Sequence, residues 1–285
     1  MDYRKKPEPS EVIDRLKKLK SEFNEKSDDY RRMADTVSDA LSLLEDTEKQ
    51  KQAREAARFR DRVARQTAAV KTHLDKAKQE GKQAASFTVF VDHTGSMTQK
   101  PFYAALDAAG VLQNAAGAAV ALWGSSDDVR WVKEDILAPA VREGFVKKGA
   151  SSDFRPVADE MIKTAALDKV EGRRSHFVVI SDGEFADYPK AKAQLEKLLK
   201  SARSATVDFV IMGRAGTGME FLAEQLAKDF PARVKHHVAN GPAYWQGTEA
   251  DLSKEVQEKV AGVVKARLHQ TRKPKPKAAA QPAAS

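Results

Sequence analysis

Three short clusters of acidic and hydroxyl residues are the parts of this sequence whose residue types and spacing could support chemistry. They occupy residues 92–97, 149–156 and 181–184. In the first cluster, Asp92, Thr94 and Ser96 alternate around Gly95, so their side-chain oxygens can converge on one point in an extended loop. A hard cation such as Mg²⁺ prefers oxygen ligands and keeps several waters. The spacing therefore predicts a divalent-cation site that the other two clusters complete.

Short apolar runs alternate with helical stretches from residue 87 onwards. Strands are predicted at 87–91, 119–123, 129–132, 176–180, 207–212 and 233–238, and helices at 101–116, 153–166, 189–202, 217–228 and 249–268. This alternation predicts an α/β fold with a mostly parallel central sheet and helices on both faces. Ligands of such sheets gather just past the carboxyl ends of the strands, where the first and third clusters stand.

The region before the sheet has a different pattern. Residues 10–82 lack proline, are rich in helix-forming residues, and carry a narrow apolar stripe that ends at Gly81. This pattern is typical of a helical hairpin or coiled coil, which either packs on the same chain or associates with another. We divide the chain into a loose N-terminus (1–9), a helical segment (10–82), a sheet domain (86–268) and a basic low-complexity tail (269–285).

Composition and charge exclude several classes of function. The chain has no cysteine, so a metal must be held by oxygen or imidazole. No secretory signal and no apolar stretch of about 18 residues is recognisable, so we expect a cytoplasmic location and no membrane contact. The net charge is +8, but the basic excess lies in the two ends. We therefore expect no nucleic-acid binding except a weak, salt-sensitive contact through the tail.

The three clusters resemble, in order, the metal-ion-dependent adhesion site (MIDAS) of von Willebrand factor A domains. The family pattern is Asp-x-Ser-x-Ser after the first strand, a remote Thr in a later loop, and an Asp after the fourth strand. Asp92, Thr94 and Ser96 match the first part, with Thr in place of the first Ser. Ser152 matches the remote Thr, and Asp182 matches the last acid. The resemblance covers roughly residues 86–240.

The resemblance implies a non-enzymatic, metal-dependent module that binds proteins. Thr94, Ser96 and Ser152 would be direct or near-direct ligands of Mg²⁺ or Mn²⁺, with Ser151 as the competitor for the remote position. The two aspartates would act mainly through water, and a partner's acidic side chain would complete the coordination. Bacterial A domains of this kind often work beside AAA+ ATPases of the MoxR type, so such an ATPase or another large assembly is an expected partner.

Other interpretations of the same residues stay open. Asp, Ser, Thr and Gly at strand–helix junctions often only cap helices and form turns. The first cluster also resembles the phosphorylated-aspartate loop of the haloacid dehalogenase superfamily, with Asp92 as nucleophile and Asp187 in a later acidic motif; no matching Lys motif accompanies it. A structural assembly protein could use the fold without metal. We expect His93 to be a loop residue, and His236 and His237 to point to opposite faces of a strand.

Overall fold

The computed structural model describes residues 9–24, 31–80, 84–97, 99–124, 129–138, 153–185, 187–213, 216–239 and 249–269. Its helices are α1 (Pro9–Asn24), α2 (Arg31–Gln79), α3 (Gln99–Ala116), α4 (Arg155–Val170), α5 (Tyr188–Ser201), α6 (Gly218–Asp229) and α7 (Glu249–Leu268). Its strands are β1 (Ala85–Asp92), β2 (Ala119–Trp123), β3 (Arg130–Val132), β4 (Arg174–Ser181), β5 (Thr206–Met212) and β6 (Val234–Ala239). The predicted α/β fold class is confirmed.

The six strands form one sheet in the order β3-β2-β1-β4-β5-β6. Neighbouring strands run parallel except at the β2–β3 edge, which is antiparallel. The chain moves outward from β1 to β2 and β3, then crosses back to β4 on the other side of β1. The order therefore reverses between β1 and β4, and the crevice at their carboxyl ends is where doubly wound sheets bind ligands.

Both faces of the sheet are covered by helices. Alternate β1 residues point to opposite faces, so Val89 and Val91 join one buried cluster while Phe90 joins the other. The first cluster includes residues of α3 and α7, and the second includes residues of α4, α5 and α6. The central strands are buried on both faces, and their sequences are accordingly mainly apolar, although β5 contains the buried Asp208.

The chain divides into two compact units, Met1–Arg62 and Val63–Ser285. In the first unit, Lys20 donates a hydrogen bond to Ser38 at 3.0 Å, and this contact joins α1 to the first part of α2. The second unit starts inside α2, because Val70 and Ala77 are buried in the cluster that lies against α3 and α7. None of the helices in the described ranges is long and apolar enough to cross a membrane.

Candidate functional site

The site is built on the two strands that flank the reversal of strand order. Asp92 is the last residue of β1, and Ser181 is the last residue of β4, its parallel neighbour. The Ser181 hydroxyl donates a hydrogen bond to Asp92 Oδ2 at 2.6 Å. The backbone amide of Gly183 in turn donates to the Ser181 oxygen at 2.9 Å. This chain of hydrogen bonds fixes the Asp92 carboxylate across the end of the sheet.

The loop after β1 folds back over this carboxylate. The Thr94 backbone amide donates to Asp92 Oδ1 at 2.8 Å, so both carboxylate oxygens accept hydrogen bonds. The Thr94 and Ser96 hydroxyls lie 2.8 Å apart, and Ser96 is close enough to Asp182 to oppose the rise in the pKa of that carboxyl. The structure thus brings together four of the five predicted ligands, although Asp182 is far from the others in the sequence.

The two carboxylates lie in an environment that opposes their charge. Asp92 is fully buried, and burial raises its pKa from 3.8 to about 7, with a smaller contribution from the nearby Asp182. Burial also raises the pKa of Asp182. No Lys or Arg in the described part of the chain forms an ion pair with either carboxylate. Two carboxylates and two hydroxyls without a basic partner are a donor set that fits a hard divalent cation.

The loop after β4 is held against the start of α6. Gly183 has φ +90°, and a Cβ there would lie 2.3 Å from Thr217 Oγ1. The Gly183 carbonyl accepts a hydrogen bond from the Met219 amide at 3.1 Å. Thr217 caps α6 by accepting a hydrogen bond from the Glu220 amide. Only glycine fits this position without strain, so the residue after Asp182 is set by backbone geometry.

The second sequence cluster is described only from Asp153 onwards. Ser151 and Ser152, the two candidates for the remote ligand, lie outside the described residues. Next to them, the Phe154 amide donates to Asp187 Oδ1 at 3.0 Å, and Arg155 pairs with both Asp153 and Asp187. Arg155 holds the pKa of Asp153 below its usual value, whereas burial and Asp153 raise that of Asp187. Asp187 therefore binds the start of α4 to the loop after β4.

His93 was expected in a loop, and His236 and His237 were expected to point to opposite faces of a strand. The His93 ring packs against Phe102, with centroids 4.9 Å apart, and its backbone amide bonds the Trp123 carbonyl. His236 faces Glu220 of α6, whereas His237 lies 3.3 Å from Asp208. The two neighbouring imidazoles thus have partners on different elements.

Two residues that help build the site were missed from the sequence. Ser181 was part of the third cluster but was not among the predicted ligands, although its position beside the end of β1 makes it a natural partner of Asp92. Thr217 was not recognised either. Its signal is the spacing Thr217-x-x-Glu220, a capping-box pattern at the start of a helix.

No protein-family model matches the chain, and no curated protein matches its sequence.

Proposed function

We propose that this chain is a metal-dependent protein-binding module that works in the manner of von Willebrand A domains. Asp92, Thr94, Ser96 and Asp182, together with Ser152, would hold one Mg²⁺ or Mn²⁺ at the carboxyl edge of the sheet. One observation carries the proposal. Side chains from two separate segments converge through hydrogen bonds around a buried carboxylate that has no described basic partner.

The resemblance supplies the roles of the individual groups. The hydroxyls of Thr94 and Ser96 would contact the ion directly, while Asp92 and Asp182 would act through water. Burial supports this division for one pair, because Asp92 is fully buried and Ser96 is exposed; Thr94 is buried as the aspartates are. A bound cation would supply charge compensation and an open coordination position for a carboxylate of a partner protein.

The biological setting follows from the same analogy. We propose a cytoplasmic assembly in which the helices α1 and α2 supply association or a second docking surface. A MoxR-type AAA+ ATPase or another large assembly would be the partner, and its acidic side chain would reach the metal. This part rests on fold-level resemblance. A scaffold that uses the fold without metal remains the alternative within the class of assembly proteins.

The contacts of Asp92 favour binding over phosphoryl transfer. A nucleophilic aspartate needs an accessible oxygen, but both oxygens of Asp92 accept hydrogen bonds and the residue is fully buried. Asp187, the other acid of the haloacid dehalogenase alternative, contacts the start of α4. We therefore propose that the chain has no intrinsic catalytic activity.

Calorimetric titration of Mg²⁺ and Mn²⁺ tests the proposal. Wild type should bind about one Mg²⁺ per chain, and the Asp92→Ala/Asp182→Ala variant should bind no Mg²⁺ and should lose the corresponding Mn²⁺ site. The matched control is Asp159→Ala/Asp229→Ala, which removes two exposed acids of α4 and α6 and should bind as wild type does. Equal binding by the Asp92/Asp182 variant would refute the site. Mg²⁺-dependent release of phosphate from an aryl phosphate, lost in Asp92→Asn, would support the enzyme alternative.

A further inference from the structure

A second group of metal-binding side chains lies between α6 and the edge strand β6. Glu220 and Glu224 are four residues apart on α6, so they share one face of the helix. His236 of β6 faces them, and one donor atom from each of the three residues lies within 4.8 Å of the others. These residues belong to none of the three sequence clusters, and the proposed adhesion site does not use them.

The charges around this group are unbalanced. Carboxylates at positions i and i+4 repel each other, and no Lys or Arg in the described ranges pairs with Glu220 or Glu224. The nearest basic nitrogen is His236 Nε2, which lies 4.0 Å from Glu220 Oε1 and is too far for a hydrogen bond. The other Glu220 oxygen accepts from the Gly216 amide, so Oε1 is the atom directed at the imidazole. A cation between the three groups would relieve the repulsion.

The donor set indicates which cation this would be. Mg²⁺ prefers oxygen ligands alone, whereas Zn²⁺ and its neighbours in the first transition row accept imidazole nitrogen with carboxylate oxygen. A site of three protein ligands that is open to solvent keeps its remaining positions for water. Glu224 is exposed, while Glu220 and His236 are half-buried. Rotation of the exposed Glu224 side chain and small shifts of Glu220 Oε1 and His236 would bring the donors to the roughly 2.0–2.2 Å distances that Zn²⁺ requires.

We propose that Glu220, Glu224 and His236 bind one transition-metal ion of the Zn²⁺ class. The ion would join α6 to β6, the strand at the edge of the sheet. Because α6 begins beside the loop after β4, the ion would also stabilise the element that holds Gly183.

Titration with Co²⁺ and Zn²⁺ tests the proposal on the full-length, tag-free, metal-stripped chain. Co²⁺ reports imidazole and carboxylate coordination through its visible spectrum, and Zn²⁺ binding is followed by calorimetry and by the melting temperature. In an Asp92→Asn background, which silences the proposed Mg²⁺ site, one ion per chain should still bind. Glu224→Gln and His236→Gln should each weaken that binding by about 100-fold or more, since each removes one of three ligands. Both should lose the Zn²⁺-dependent rise in melting temperature.

Two controls separate this site from other sources of binding. Glu258→Gln removes an exposed carboxylate of α7, and His73→Gln removes one ring of the His73–His269 pair, whose centroids are 5.6 Å apart. Both should bind Zn²⁺ as the parent does. The proposal would be overturned if neither Co²⁺ nor Zn²⁺ bound saturably. It would also be overturned if the Glu224→Gln and His236→Gln variants bound Zn²⁺ as tightly as the parent, provided that without metal they melt at the parent's temperature. Loss of the Mg²⁺ site leaves this result unaffected, so the two proposals fail separately.

Discussion

The substitution Asp92→Asn probes the energetic cost of the buried carboxylate. Burial raises the pKa of Asp92 from 3.8 to about 7, so between these values the folded chain binds more protons than the unfolded chain. The stability of the cation-free protein should therefore fall as the pH rises through this window. Each pKa unit corresponds to about 1.4 kcal/mol, which gives a loss of about 4 kcal/mol once Asp92 is ionised.

Asparagine removes the charge but keeps the shape. The variant should not show the pH-dependent fall of about 4 kcal/mol in the free energy of unfolding. Its hydrogen bonds with Ser181 and Thr94 are weaker, and this should lower the free energy of unfolding by about 1–2 kcal/mol. At about pH 5 the two effects should nearly cancel, because ionisation of Asp92 in the unfolded chain then costs wild type only about 2 kcal/mol of stability. At about pH 8.5 the variant should be more stable than wild type by about 2–3 kcal/mol in EDTA.

Urea unfolding at both pH values, in EDTA and then in Mg²⁺, measures these differences. Mg²⁺ should stabilise wild type and leave Asp92→Asn unchanged, because the ion binds only the folded chain with an intact site. If Asp92→Asn is less stable than wild type at about pH 8.5 in EDTA, the carboxylate is not held in a charge-opposing environment. The electrostatic argument for a cation would then be wrong.

Three further predictions concern the structure around the site. Gly183→Ala should destabilise the protein by about 2–4 kcal/mol, because Gly183 has a positive φ and a Cβ there would also clash with Thr217. Gly172 has φ +69° but open space around the position of a Cβ. Gly172→Ala should therefore cost only about 1–2 kcal/mol in the same urea unfolding assay. Arg267 Nε lies 2.6 Å from Oδ2 of the buried Asp208. Arg267→Met would leave that carboxylate without the arginine, so it should lower the free energy of unfolding by about 3–5 kcal/mol and lower the melting temperature. His176→Gln should flatten the acid side of the stability profile. Burial lowers the pKa of His176 from 6.5 to about 3, so wild type loses up to about 1.4 kcal/mol per pH unit as the pH falls through that window. An unchanged acid limb in this variant would contradict a buried, neutral imidazole.

The sequence was sufficient to identify the type and order of the elements because their signals are local, although some bounds differ: the helix predicted at 153–166 is α4, which begins at Arg155 and ends at Val170. Apolar runs such as 207–212 and the helical pattern of 249–268 coincide with β5 and α7 within one residue. β3 is a short strand, Arg-Trp-Val, with two exposed residues, and it lies at one edge of the sheet, where such strands are tolerated. Alternating strands and helices leave few topologies, since parallel connections are right-handed and a doubly wound sheet must cover both faces. The fold class was therefore predictable from pattern alone.

The sequence also indicated which residues would approach each other at the carboxyl edge. Asp92 and Asp182 each stand at the carboxyl end of a buried run. The carboxyl ends of neighbouring parallel strands lie at the same edge of a sheet, so the two residues were expected to lie close together. The depth of Asp92, and hence its raised pKa, could not be predicted. It depends on the neighbouring Ser181, on the loop that returns through Thr94, and on the absence of a described basic partner.

Contacts between distant segments were decided only by the tertiary structure. The helical pattern of α2 is continuous, but its last turns are buried in the sheet unit while its first part belongs to the other unit. Glu220, Glu224 and His236 carry no shared motif, and they meet because α6 packs on β6. Periodicity determines which face of an element is apolar. The sequence therefore determined the type of each element and the fold class, and it pointed to the carboxyl edge of the sheet as the candidate site. Which polar groups lie opposite one another, and how deeply each is buried, depends on three-dimensional packing that no local pattern encodes.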